Sequence, residues 1–287
     1  VGAAQNRPRF IMLSFRPDIF GKLRRKIKDS ALLRALDESK KFYNLVKKGH
    51  EPDLGSLNYY DVEKNNELYK SKLLSSLKTY ELENLVSVKS AIDDLRSEKI
   101  EVSSYVDSIN GAYKNHYSFK VNKWKNHDPR NNNVKVRARF RIYQIMSKLP
   151  KSSSLEVSRF LKSEGVSSVS MNTLKLMSKY WVLDLNGKRI SKPSTEIILE
   201  LLEKVYTKKQ TQRALIADSP APAALSIPDD ACHYHESISS QRTLTVREMA
   251  RIQSFPDWFE IKSKVTTGGS MRKFEVPQYT QVGNAVP

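Results

Sequence analysis

The stretch from about residue 140 to 190 restricts the fold more than any other part of the chain. "RFRIYQIMSKL" puts Ile142, Ile145, Met146 and Leu149 on one face of a helix. "SSLEVSRFLKSEG" opens with Ser and closes with Gly, residues that cap the two ends of a helix. "SVSMNTLKLMSKYWVLD" then runs into "LNGKRI", where Asn186-Gly187 fits a two-residue hairpin because both residue types accept positive φ. Three helices followed by a hairpin is the order of a winged helix-turn-helix, and in that arrangement the helix near 168–179 would approach DNA. A helical bundle with an incidental hairpin buries the same residues, so the pattern leaves both open.

The remaining elements point to a mixed α/β chain. Residues 8–15, "PRFIMLSF", read as a strand, and 18–29 are strongly basic. Residues 30–48 read as an amphipathic helix with Leu32, Leu33, Leu36, Leu45 and Val46 near helical spacing. A loop is expected over 50–61, two helical patterns over 62–97, and no steady period over 98–135, which includes the turn cluster "NHDPRNNN". A further helix is expected over 192–213. The Pro- and Ala-rich 217–230 is the best internal boundary.

Charge narrows the function. Among 287 residues, 49 Lys and Arg stand against 31 Asp and Glu, a net charge of +18. Such an excess points to a polyanion, nucleic acid before a membrane surface. Residues 111–141 hold nine Lys/Arg and one acid, Asp128, interleaved with Tyr113, Tyr117, Phe119, Trp124 and Phe140. Cations neutralise phosphates while aromatics pack on sugars and bases. Lys123, Lys125, Arg137, Arg139 and Arg141 are therefore the candidate DNA contacts. No apolar run is long enough to cross a bilayer, and the single cysteine, Cys232, fits a reducing compartment, so a cytoplasmic location and no membrane partner are expected.

"RTLTVREMARIQSFPDWF", 242–259, is the densest stretch. Thr245 and Glu248 have the spacing of a capping box. Val246, Met249, Ala250 and Ile252 form a buried stripe, and Pro256 is expected to stop the helix. Arg247 and Arg251 lie one turn apart. By physical pattern this is a structural brace. Cys232, His233 and His235 in "DDACHYHE" lack the second ligand pair that a zinc site needs, so no metal is assigned and a half-buried strand is expected. The closing "QYTQVGNAVP" reads as a turn at Gly283-Asn284, with Pro287 as the first residue of a helix.

"RTLTVREMARIQSFPD" followed by "PQYTQVGNAVP" closely resembles the last two motifs of the cytosine-5 DNA methyltransferases. "QNRPR", Gln5 to Arg9, resembles that family's Gln-x-Arg-x-Arg motif, which precedes the target recognition domain. "VKSAIDDL" and "KKQTQRALIADSPAPA" are similar to connecting segments of bacterial members. The resemblance implies the end of a Rossmann-like methyltransferase domain plus a large, helix-rich recognition domain. The division it implies is 1–16 for the last catalytic strand region, 17–216 for the variable domain, 217–277 for linker and brace, and 278–287 for the cofactor-side turn. It implies that Arg9 contacts a flipped cytosine, that Arg7 helps hold the catalytic carboxylate and the DNA backbone, and that Gln5 opens the motif. It also implies that Asn284, Ala285 and Val286 close over S-adenosylmethionine.

The departures are equally informative. The family's Pro-Cys nucleophile motif, its Glu-Asn-Val motif and its Gly-rich cofactor loop do not occur in this chain. The resemblance thus implies a DNA (cytosine-5-)-methyltransferase part that is inactive alone and needs an N-terminal catalytic half, in cis or as a separate subunit, with duplex DNA as the other partner. A fragment is favoured over a split subunit because the chain opens inside one motif and closes at the start of the next helix. On that reading the closing turn is poorly ordered or misplaced in this chain alone. A restriction-modification setting is expected. The alternatives are a non-catalytic winged-helix DNA-binding module and an RNA cytosine methyltransferase.

Overall fold

The computed structural model describes residues 2–6, 15–51, 85–97, 99–112, 124–162, 168–223, 231–266, 271 and 274–285. Almost all of the expected 8–15 strand, most of the 50–61 loop and the first helical pattern of 62–97 lie outside these. The chain forms two compact units: Val1–Gly2 with Pro8–Leu85, and Ala3–Arg7 with Val86–Pro287.

In the first unit α1 spans Pro17–Lys26 and α2 spans Ser30–Lys47. Proline suits the first helical position of α1, where no amide partner is lost, and Arg24, Arg25 and Lys26 complement the negative C-terminal end. The Asp29 carboxylate caps α2 by accepting from the amides of Ala31 and Leu32. The α2 bounds agree with the sequence pattern, but its apolar stripe is only partly used. Ala31 and Leu32 are buried, whereas Leu45 and Val46, expected on the buried face, are exposed.

The second unit holds two hydrophobic cores. One is built by α5 (Val134–Met146), α6 (Lys151–Lys162), α7 (Met171–Met177), the β2–β3 hairpin (Val182–Leu183, Arg189–Ile190) and α8 (Thr195–Lys204). Helix-capping side chains fix where three of these helices start. Asn133 accepts from the Val136 amide, Ser170 from that of Thr173, and Ser194 from that of Ile197. The hairpin pairs Val182 with Ile190 and Leu183 with Arg189, and Gly187 sits at φ +81° in its turn. Three helices and a hairpin thus follow in the expected order. The helix expected over 192–213 is shorter, because α8 ends at Lys204 and the chain leaves it at Val205.

The other core surrounds α9 (Val246–Ile252). It gathers α3 (Val88–Ile92), a 3-10 turn at Asp94–Arg96, α4 (Ser104–Gly111), α10 (Gln278–Asn284), and residues flanking β1 (Gln5–Asn6) and β5 (Ala221–Pro222). α4 was not expected from the aperiodic 98–135 stretch. Its N-cap Ser103 accepts from the Val106 amide, and tertiary burial of Tyr105 and Val106 supplies what periodicity did not show. β1 runs parallel to β5, and β4 (Arg213–Ala214) parallel to β6 (Ala231–Cys232). The described part of 217–230 is therefore packed structure. The carbonyls of Ala217 and Ser219 accept from the amides of Lys89 and Val88, and Ala221 is buried.

Gly187 owes its place to the left-handed backbone alone, since a Cβ there would meet only ordinary contacts with Val134. Gly187→Ala should destabilise the second unit by about 1 kcal/mol. A drop in the denaturant midpoint without a change in slope is the expected result.

Candidate functional site

α9 is short, so its position is set by side chains. The Thr245 hydroxyl accepts from the Glu248 amide, and the Glu248 carboxylate accepts from the Thr245 amide, completing the capping box read from the sequence. Every residue of α9 is buried, the two arginines included. The helix ends at Ile252, four residues before Pro256, because Ser254 takes a left-handed conformation (φ +64°). Pro256 follows the stop and does not cause it.

Arg247 and Arg251 are internal fasteners. Arg247 donates only to main-chain carbonyls, those of Lys125 (3.0 Å), Pro256 (3.0 Å) and Phe259 (2.6 Å). Arg251 forms a two-pronged pair with Asp257 (2.7 and 2.8 Å) and reaches Asp94 (2.5 Å) and the Ala91 carbonyl. Asp257 is in turn held by Asn110 of α4 through its amide and its carboxylate. Asn126, at φ +63°, presents its side chain to both the amide and carbonyl of Ile261 and to Gln278. Segments 88–96, 104–112 and 124–127 are so fixed to the brace.

A second buried cluster lies at the front of α9. Arg242 grips both oxygens of Glu248 (2.7 and 2.8 Å), and His233 Nε2 stands 3.7 Å from the same carboxylate. Burial alone would raise Glu248; Arg242, then His233 and His127, reverse this and hold it at about 2. Burial pushes His233 down to about 4, against the pull of Glu248. His127 bridges the Thr245 hydroxyl and the Leu95 carbonyl.

Tyr105 connects the brace to β1. Its hydroxyl donates to the Arg251 carbonyl (2.8 Å) and lies 3.1 Å from Ser254 Oγ, and its ring shares a core with Ala4. Ala4 precedes Gln5, whose side chain is buried with no partner among the described residues. Arg7 and Arg9 lie outside the described residues.

At the other end, residues 278–284 are helical. The sequence reading of a turn at Gly283-Asn284 is corrected: Gly283 is buried without positive φ, and Ala285 leaves the helix in extended conformation. Tyr279 and Val282 enter the core of α9, and the Tyr279 hydroxyl donates to the Leu244 carbonyl (2.6 Å). Asn284 is exposed and Ala285 half-buried at the helix end, whereas Val286 and Pro287 lie outside the described residues. The exposed Asn284 amide can both donate to and accept from a polar ligand, which is compatible with one edge of an S-adenosylmethionine site.

The basic stretch divides. Lys123 lies outside the described residues. Lys125 is exposed and paired with Glu260 (2.7 Å), and Arg137 is half-buried. Arg139 and Arg141 are corrected from surface cations to interior ones. Arg139 donates to the carbonyls of Val205 and Tyr206 and to Gln212. Arg141 donates to the Trp181 carbonyl, stacks on the Trp181 ring at 4.0 Å, and is lowered to about 10 by burial and by Arg189. The two lie on opposite faces of α5, and both are interior because the helix is enclosed on both sides, by the 205–212 loop at Arg139 and by Trp181 at Arg141, which a count of charges does not reveal.

Cys232 is fully buried in β6, with its sulfur 3.8 Å from the Phe140 carbonyl. Burial raises its thiol above the ordinary range, so it is neither exposed nor ionised as a nucleophile requires. Among the described residues no group of three or more His, Cys, Asp or Glu could hold a metal, and no helix is long and apolar enough to cross a membrane.

The chain belongs to the C-5 cytosine-specific DNA methylase family, whose model matches residues 1–287. It is similar to three proteins named as Type II methyltransferases. To M.BsuRI of Bacillus subtilis it is 38% identical over 69 residues, 23% of this chain and 16% of that protein. To M.AquIB of Picosynechococcus sp. it is 39% identical over 90 residues, 31% and 62% respectively. To M.AplI of Arthrospira platensis it is 51% identical over 47 residues, 16% and 11%. The matched stretches thus span between 11% and 62% of these relatives. No solved structure matches the chain.

Two outcomes follow from these clusters. Arg251→Met would leave Asp94 and Asp257 buried without their cation, and should cost about 3–5 kcal/mol in equilibrium unfolding. His233 and Glu248 both have lowered folded pKa values, so the unfolded chain binds more protons and stability falls with acid. The His233 contribution is complete above its ordinary 6.5 and is lost as pH falls from there to about 4. The Glu248 contribution is lost from 4.5 to about 2. His233→Gln should make the fall of stability between pH 6.5 and 4 shallower and, because His233 helps hold Glu248 low, should also shorten the lower limb.

Proposed function

We propose that this chain is the DNA-recognition and C-terminal part of a cytosine-5 DNA methyltransferase acting on duplex DNA in a restriction-modification setting. The family match over the whole chain carries this reading. The nucleophile is supplied by sequence other than this chain, because the one cysteine is buried and the Pro-Cys motif is absent. S-adenosylmethionine, when bound, supplies the methyl group, and Asn284 and Ala285, with Val286, would hold one edge of it.

The chain's own residues bind and position. Arg7 and Arg9 follow β1, and their fixed positive charges would hold the flipped cytosine and the nearby phosphate in place. Tyr105 and the α9 fasteners keep the start of that strand against the brace. In the recognition part, α5–α7 and the β2–β3 hairpin act as a winged helix, with α7 facing the duplex. Support comes from its outward residues Asn172 and Lys175, which are exposed beside a buried Thr173, Leu174 and Met177, and from the exposed Lys179 just past its end. Lys125 and Arg137 remain proposed phosphate contacts.

Joined to a catalytic half bearing the Pro-Cys motif, the chain should transfer methyl groups to cytosine in duplex DNA, and alone it should transfer none. Transfer by the chain alone, or no transfer to any DNA after complementation, overturns the reading; preference for structured RNA over duplex DNA at matched salt transfers it to RNA. In the complemented enzyme Arg9→Ala should reduce turnover at least about a hundredfold, the scale of removing one transition-state interaction, while non-specific DNA binding falls much less. An equal loss of both would make Arg9 a phosphate contact.

A further inference from the structure

We infer that the open groove between the C-terminal half of α6 and the 205–213 loop is a binding site for a backbone phosphate of the DNA. The inference rests on the DNA-binding reading above and adds a site outside the α7 face. The groove, about 310 Å³, is lined by Leu155, Ser158, Arg159, Lys162 and Gln210. Arg213 stands close enough to Lys162 to repel its charge.

Three features make this a built site. First, the loop is fixed from beneath. Buried Arg139 donates to the carbonyls of Val205 and Tyr206 and to the side chain of Gln212, while the Thr207 amide donates to the Leu161 carbonyl at the end of α6. The loop wall of the groove is thereby held in place against α6 before any ligand arrives, which lowers the ordering cost of binding. Second, Arg159 and Lys162 line one groove, Arg213 stands close enough to Lys162 to repel its charge, and no carboxylate among the described residues pairs with any of the three. Lys162, half-buried as a residue, gives one donor to the Gln210 carbonyl (2.5 Å), and Arg213 Nε donates to the Thr211 carbonyl. Each keeps further N–H donors. Like charges gathered at a partly desolvated point are stabilised by an anion. Third, the lining matches a nucleotide backbone, since the half-exposed Leu155 offers an apolar surface for sugar and Ser158 a hydroxyl.

A site of this kind adds affinity without reading sequence. The test is salt-dependent binding of the full chain to random-sequence duplex DNA, comparing wild type with Lys162→Gln/Arg213→Gln, with circular dichroism to confirm folding. The slope of log K against log salt should become shallower by about 0.9, the value for one phosphate no longer neutralised, with equal weakening on every sequence. Arg213→Gln alone, at an exposed position, should give about half the change and guards against misfolding of the double variant. If wild type binds DNA and the variants keep its slope, the groove is not a DNA site. If wild type binds no DNA, the functional reading fails with it. A third arm titrates inorganic phosphate: saturable binding that leaves the DNA slope of the variants unchanged would assign the groove to a free anion and overturn the inference.

Discussion

The pair between Arg251 and the two carboxylates of Asp257 and Asp94 is the constraint on which the α9 core depends. It joins the helix, the turn that follows it and a segment some 157 residues earlier. A buried ion pair need not add net stability, because desolvation offsets much of the attraction. Its effect is to make alternative arrangements expensive. Any packing that separates α9 from the 94–96 turn leaves a charge in an apolar core. Arg247 acts the same way on neutral partners, engaging three carbonyls that would otherwise need water.

That rigidity has a direction. The Tyr105 hydroxyl donates to the Arg251 carbonyl, and Ala4, at the start of β1, is buried in the same core. α10 packs on α9 through Tyr279 and Val282 and leaves Asn284 exposed at its end. One short helix thus gathers segments that are far apart in sequence. In the second core Arg139 and Arg141 play a comparable part, directing their charge to loop carbonyls and to Trp181 while other cations remain at the surface.

Much was legible in the residues. The capping box, the apolar stripe of α9, the bounds of α2 and the Asn186-Gly187 hairpin are local, and local chemistry decides them. What was not legible depended on distant partners. α4 lacks periodicity, and Tyr105 and Val106 become informative only when the core they enter is present. Arg139 and Arg141 read as surface charge because composition does not record that one face of α5 meets the 205–212 loop and the other meets Trp181. The closing segment reads as a turn from Gly283-Asn284, yet burial of Tyr279 and Val282 makes it helical.

The sequence by itself determined the family, through motif order, and the local elements, through caps, spacing and turn residues, because those depend on neighbours within a few positions. Only the tertiary structure decided which charges are structural and which face solvent. A guanidinium leaves water only where other segments bring acceptors that offset its desolvation, so its place depends on those segments. For Arg247, Arg251, Arg139 and Arg141 they do; for Arg159, Lys162 and Arg213 no carboxylate among the described residues neutralises the charge at the rim of the groove.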